Sequence, residues 1–345
     1  MSPRPIAYVM EQTLGSITHY LNLRRAESER GVPNRWLPIT YEPGRLPWTV
    51  RGSWLARRAL APIIDDVDGV FIHTMTLAPA LVDLFHKKPV VISSDGPAMA
   101  KLGMRGAYGD PAEHRLARLA KRELYRQVFK RAAGFVGWSH WAKDSFVRDY
   151  GCSERDVAVI PPGVDLDLYA PGDRDHPLPR ILFVGGDFER KGGDLVREVF
   201  RKHLRGRAEL VLVTRDDVSE EPGVTVHRNL GANSAELLNL YATCDIFALP
   251  TRADCYSLVC MEALAAGMPV VTTRVGGIPD LVVEGKTGHL IEVDDEQALT
   301  AALSSIVLDC DKRREMAIAA RADALARFSA SANAKALFDF VRARC

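Results

Sequence analysis

The chain has no long apolar run. No stretch approaches the ~18 consecutive apolar residues a membrane-spanning helix needs. Residues 6–10 form one short apolar strand behind Met1-Ser2-Pro3-Arg4-Pro5, too brief for a secretory leader, so a soluble, cytoplasmic protein is expected. The six cysteines contain no C-x-x-C pair and no zinc-like spacing, which argues against a structural zinc site or disulfide framework and for reduced thiols in a core. Internal repeats and low-complexity tracts are absent too. Neither sign of charge dominates, the net being +1.

The chain does have ordinary globular composition, with 47% hydrophobic and 26% charged residues in a length of 345. At about 150 residues per domain that length suggests two domains. The charge is unevenly spread. Residues 1–160 hold 23 Lys+Arg against 16 Asp+Glu, whereas the remainder holds 22 against 28. A basic half joined to an acidic half suggests separate partners for the two.

Val- and Ile-rich runs at 6–10, 69–73, 89–93, 133–137, 157–160, 181–185, 209–213, 224–227, 246–249 and 269–273 alternate with helical patterns at 111–131, 140–150, 194–204, 234–243 and 297–308. Continuous apolar strands are those buried on both faces of a parallel sheet, so the fold class is α/β and doubly wound. The Pro/Gly-dense stretch beginning Pro161-Pro162-Gly163 suits neither sheet nor helix and reads as a linker. Two helical runs, 312–328 and 329–344, close the chain.

In such sheets ligands bind beyond the carboxyl ends of the strands. In the second half those ends carry three polar stretches. Asp254-Cys255-Tyr256-Ser257-Leu258-Val259-Cys260-Met261-Glu262 follows strand 246–249. A helix starting near Ser257 would aim the backbone N–H groups of Tyr256, Ser257, Leu258 and Val259 at an anion, with Asp254 and Glu262 available to hold hydroxyls. From spacing alone, a capped helix with solvated acids is the favoured reading. Gly185-Gly186-Asp187-Phe188-Glu189-Arg190-Lys191-Gly192-Gly193 follows strand 181–185 and pairs glycines with two cations suited to a diphosphate. It matches neither G-x-G-x-x-G nor G-x-x-x-x-G-K-[ST], against a dinucleotide dehydrogenase or P-loop NTPase. Gly276-Gly277-Ile278-Pro279-Asp280 is either another close approach to a ligand or a tight connection.

These stretches, with Gly267-Met268-Pro269 and Glu284-Gly285-Lys286-Thr287-Gly288, resemble the donor-binding half of the family 4 retaining glycosyltransferases of GT-B fold. Ile160-Pro161-Pro162-Gly163-Val164-Asp165 resembles that family's linker entry, and Gly15 stands where the family has an N-terminal glycine loop. The resemblance implies two Rossmann-like domains facing across a cleft: an acceptor domain (1–168), a nucleotide-sugar donor domain (169–327), and a C-terminal helix (328–345) returning to the first. It implies Asp254, Lys191 and Arg190 as catalytic residues. Donor contacts would come from Glu262 (ribose), Tyr256, Ser257, Leu258, Val259, Gly15, Gly186 and a base-side loop around Leu230; Asp95 and His19 would lie toward the acceptor. The resemblance further implies a nucleotide-diphosphate sugar as co-substrate, no metal or other cofactor, and a glycan, small-molecule or lipid-linked hydroxyl as acceptor. Three positions depart from the family. Asp254 is a methylene shorter than the usual Glu, Gly186 replaces a diphosphate arginine, and Asp95 stands where many members have histidine. Those departures keep open a non-catalytic nucleotide-sugar-binding subunit; an epimerase or phosphorylase on the same fold is the other alternative.

Weaker signals remain. Asp165-Leu166-Asp167 spells a D-x-D, read as solvated linker. Arg115, Arg118, Arg122 and Arg126 share one stripe of a helix, with Leu116, Ala120, Leu124 and Val128 on another. A surface helix docked by that apolar row is one reading; peripheral contact with anionic membrane is the other. No feature points to nucleic acid.

Overall fold

The computed structural model of the chain describes residues 4–13, 15–28, 34–41, 47–104, 106–108 and 114–345. By contact these form two units. The first comprises the described residues of Met1–Gly103, Pro111–Gly163 and Ala330–Cys345, and the second those of Met104–Asp110 and Val164–Ser329.

The first unit is a six-stranded parallel sheet in the order β2-β1-β3-β4-β5-β6, with β1 (Ile6–Glu11), β2 (Arg35–Ile39), β3 (Gly69–His73), β4 (Val90–Ser94), β5 (Gly134–Gly137) and β6 (Val157–Val159). Side chains alternate across its two faces. Ala7 and Val9 of β1 join Val70, Ile72 and Ile92 beneath α2 (Trp48–Leu60), α3 (Arg115–Phe129) and α4 (His140–Tyr150). Ile6, Tyr8 and Met10 join Phe71, Val91 and Val136 beneath α1 (Gly15–Ser28) and the chain's last helix. That last helix, Ala330–Arg344, therefore returns to the first sheet, where Leu337, Phe338 and Val341 are buried. At about 1.5–3 kcal/mol per buried large apolar side chain, the docking is strongly held. Arg344 adds hydrogen bonds to Ala133 O and Asp156 at 2.8 and 2.9 Å.

Two elements of this unit differ from expectation. β2 lies at an edge, where Pro38 costs no ladder bond, and its half-exposed side chains hid it in the sequence. On α3 the core face is Tyr125, Val128 and Phe129, whereas Leu116 is 69% and Leu124 51% exposed. Only Val128 of the expected apolar row turns inward. Trp36, half-buried, stacks on the core residue Tyr8 with centroids 4.6 Å apart, while Trp54 is exposed.

The second unit is another six-stranded parallel sheet, in the order β12-β11-β10-β7-β8-β9. Its strands are β7 (Arg180–Val184), β8 (Glu209–Thr214), β9 (Val224–Arg228), β10 (Ile246–Leu249), β11 (Val270–Thr273) and β12 (Gly288–Ile291). Its helices are α5 (Gly193–Val199), which continues as a wider turn through Phe200–Leu204, α6 (Ala235–Thr243), α7 (Leu258–Ala265), α8 (Glu296–Val307) and α9 (Cys310–Arg327); the returning helix is α10. The chain starts at the centre on β7, runs outward through β8 and β9, and then crosses back to lay β10 on the other side of β7. The order reverses between β7 and β10, which opens a crevice at their carboxyl ends.

Candidate functional site

The site in the second unit begins with α7. The helix is almost wholly buried and, apart from Glu262, apolar. Guanidinium groups satisfy its terminal carbonyls. Arg174 donates to Gly267 O at 2.8 Å and to Ala266 O, and Arg321 donates to Ala265 O at 2.5 Å. Cations at a helix carboxyl end oppose its dipole. At the other end Ser257 is the N-cap but makes no side-chain cap bond, and its buried Oγ has no hydrogen-bond partner. The first-turn N–H groups of α7 are thus directed to the crevice without a side-chain acceptor, an arrangement suited to an anion.

The loop after β7 is drawn against the loop after β10. Gly192 sits at φ +76°, and a Cβ there would stand 2.2 Å from Pro250 O. Arg190 donates through its guanidinium to Ala253 O at 2.8 Å and pairs with Asp187 at 2.8 Å. Lys191 Nζ forms an ion pair with Asp254 Oδ2; the two side chains are only 15% and 13% exposed. On the far side Gly276, at φ +57°, presses on the same segment: a Cβ would lie 2.2 Å from Asp254 O, and Gly277 N–H donates to Cys255 O at 2.9 Å. Three loops therefore converge on Asp254 and Lys191 beside the α7 N-terminus.

Glu262 is one turn inside α7, and its Oε2 accepts a 2.8 Å hydrogen bond from Tyr241. Burial pushes its carboxyl above the ordinary carboxylate range, and the hydrogen bonds of Tyr241 and Tyr169 oppose that shift. Tyr169 stands edge-on to Tyr241 at 5.2 Å.

Two family models match the chain in succession: Glycosyltransferase Family 4 over residues 18–168, and Glycosyl transferases group 1 over residues 178–309. The chain belongs to the family 4 glycosyltransferases. Over 261 residues it is 28% identical to D-inositol 3-phosphate glycosyltransferase of Corynebacterium diphtheriae, covering 67% of this chain and 60% of that protein. It is 27% identical to MMP alpha-(1->4)-mannosyltransferase of Mycolicibacterium hassiacum over 56% of this chain and 49% of the relative. The chain thus spans about half to three-fifths of the length of these curated relatives. Among solved structures, sucrose-phosphate synthase from Thermosynechococcus elongatus superposes with a TM-score of 0.78 at 18% identity, covering 99% of this chain and 98% of that one. Anabaena HepE in complex with UDP-glucose gives 0.73 at 15% identity, over 99% and 100% of the two chains. Both sheets thus have the GT-B architecture of this family.

The family 4 chain brings Lys191, Arg190, Asp254, Tyr256, Ser257, Leu258 and Val259 to one crevice, with Glu262 a turn deeper. Tyr256 is buried, and its hydroxyl is held above the ordinary range chiefly by that burial. Gly186 is exposed beside Arg215, whose Nε would be 3.5 Å from an added Cβ. Leu230 lies past the carboxyl end of β9, next to Asn229 at φ +60°. Asp165 Oδ1 accepts from the Asp167 and Leu168 N–H groups, so the D-x-D is a local turn.

The remaining residues belong to the first unit. Gly15 opens α1. His19 is buried, edge-on to His73 at 5.2 Å and to Trp138 at 5.1 Å, and burial keeps its imidazole well below its ordinary pKa. Asp95 accepts from Gly96 N–H at 2.8 Å and pairs with Lys101 at 3.3 Å.

Several neighbours had no signal in the sequence. Tyr241 and Tyr169 reach Glu262 from α6 and from the segment before β7. Tyr108, in the short segment that groups with the second unit, lies under the Arg190 guanidinium at 5.0 Å with its hydroxyl 3.8 Å from Cys255 Sγ. Glu11 ends β1 as a buried carboxylate bound by the hydroxyls of Tyr41, Thr74 and Thr76. Arg252 could have been noticed, because it stands two residues before Asp254 at a strand's carboxyl end.

Proposed function

We propose that this protein is a retaining glycosyltransferase that moves a sugar from a nucleotide-diphosphate sugar to an acceptor hydroxyl. The observation that carries this reading is the Lys191–Asp254 pair set beside the uncapped N-terminus of α7, where the second sheet reverses order. Complexes of HepE with UDP and with UDP-glucose, and the glycosyltransferase names of the relatives, favour a nucleotide sugar as ligand.

In this reading the diphosphate lies on the Ser257, Leu258 and Val259 N–H groups. Lys191, Arg190 and the neighbouring Arg215 offset the negative charge that grows as the glycosidic bond breaks. That work needs no metal. Tyr241 orients Glu262 toward the ribose. Asp254 leaves Lys191 for the ligand's hydroxyls, the tight approach of Gly276 compensating for its missing methylene. The acceptor hydroxyl attacks from the face the diphosphate leaves, and the departing phosphate takes its proton. Retention follows without an enzymic nucleophile.

A thermal-shift screen of UDP-, GDP-, ADP- and dTDP-sugars, followed by product analysis with radiolabelled donor, tests the activity. Lys191→Ala should lower turnover on the order of 10²- to 10³-fold, the usual effect of losing one such donor. Near-native turnover refutes the assignment. Because the variant also strands Asp254, at a cost of about 3–5 kcal/mol for a broken buried pair, its melting temperature is measured alongside. Binding without turnover in the native protein would favour a non-catalytic subunit, and release or interconversion of the sugar an epimerase or phosphorylase.

For the acceptor side we propose an anionic lipid surface against α3. Leu116, Leu119 and Leu124 are exposed there in a helix that also carries Arg115, Arg118, Arg122 and Arg126. The protein should sediment with vesicles containing anionic lipid more than with neutral ones, and Leu116→Gln/Leu119→Gln should abolish the difference. Equal sedimentation of the native protein with both vesicles removes the idea.

A further inference from the structure

Lys191 reaches Asp254 from a loop of its own, and a lysine ammonium on a flexible stem does not choose one partner unless its backbone is held. Besides the loop's own turn bonds, one residue holds that backbone from outside at several points. Arg252 N–H donates to Arg190 O at 2.8 Å. The Arg252 guanidinium donates to Glu189 O, binds both oxygens of Asp194 at 2.8 Å, and gives its Nε–H to Asp294 at 2.8 Å. Glu189, Arg190 and Asp194 bracket Lys191 on both sides along the chain. Arg252 also stands two residues before Asp254 and so belongs to the loop that supplies the lysine's partner. Its side chain is 23% exposed, and the hydrogen-bonded carboxylates hold the guanidinium above its already high ordinary pKa.

We propose that Arg252 is a positioning residue: by gripping the chain on either side of Lys191 it sets the ammonium against Asp254 and, when ligand is bound, against the diphosphate. The planar fork is essential, because two parallel bonds to Asp194 plus a third to Asp294 fix orientation as well as distance. A lysine at 252 would supply charge without that fork. The diphosphate part of the claim rests on the proposed function; the placement of Lys191 does not.

Two measurements separate those parts. The first needs no ligand: the rate at which acetic anhydride acylates individual lysines is followed by mass spectrometry. In Arg252→Ala the Lys191 rate should rise several-fold while that of Lys335, an exposed helical lysine paired with Asp339, stays unchanged. Asp194→Asn should give a smaller rise, and Arg252→Lys should fail to restore protection. An unchanged Lys191 rate, or an equal rise at both lysines, overturns the proposal; the equal rise marks mere loss of stability. The second is calorimetry with UDP, GDP and ADP on a four-variant cycle of Arg252→Ala and Lys191→Ala. Arg252→Ala should weaken binding about tenfold, the size of one lost charge-assisted hydrogen bond. In the Lys191→Ala background it should add nothing, because contacts acting through one another are not additive. Additive losses overturn the proposal. If the native protein binds none of the three nucleotides, the functional reading fails, and the lysine-labelling result still decides the role of Arg252.

Discussion

Asp254 shows how a residue-scale departure is absorbed by its surroundings. A carboxylate one methylene short reaches less far, yet Gly192 and Gly276 let backbone approach where any Cβ would collide, and the pair with Lys191 closes. The histidines of the first unit carry a different consequence. His73 is fully buried, stacked on Trp138 at 5.0 Å, with ring nitrogens facing Ser16 at 3.4 Å and Ser93 at 3.2 Å. Burial, helped by the nearby Lys101 charge, lowers its pKa from 6.5 to about 3. A histidine depressed in the folded state binds protons more readily when unfolded, so its stabilising contribution is complete above pH 6.5. That contribution is lost as pH falls from 6.5 toward about 3. At pH 5 one such histidine should already cost about 2 kcal/mol. Urea midpoints of the native protein should therefore drop between pH 7 and pH 5, and His73→Gln should show a smaller drop. Equal drops in the two proteins would contradict the assignment.

At the scale of elements, α7 is positioned from both ends. Arg174 and Arg321 hold its terminal carbonyls, while the packed loops hold Asp254 and Cys255 ahead of its first turn. The loop around Gly276 is part of that support, and its glycine is required twice, for φ +57° and for the 2.2 Å approach to Asp254 O. Gly285 has a similar φ of +71° but nothing within 4 Å of an added Cβ. Gly285→Ala should thus cost only the left-handed penalty, about 1–2 kcal/mol. Gly276→Ala should cost at least about 2 kcal/mol more, since backbone must move, and should also weaken nucleotide binding. Chemical denaturation of the two variants makes the comparison; equal losses would mean that the loop yields freely.

Across the whole molecule, what the sequence alone determined is the class of architecture and the second sheet's chemistry-bearing loops. Strands buried on both faces must be continuous apolar runs, and glycine, lysine and acid residues at their carboxyl ends mark a candidate ligand edge before any coordinates exist. Ten of the twelve strands among the described residues were legible for that reason; β2 and β12 are short edge strands with weak patterns. Helix orientation was harder to read: apart from Val128 the expected apolar row of α3 faces outward, because which stripe docks depends on the neighbours available. Pairings between distant positions were decided only by the tertiary structure. Lys191 with Asp254, Tyr241 with Glu262, Tyr108 with Arg190 and the grip of Arg252 each join residues from separate loops or elements, 21 to 82 positions apart. Local pattern reports which face of a strand or helix is apolar. Which polar groups meet depends on strand order, and that is settled when the chain reverses between β7 and β10.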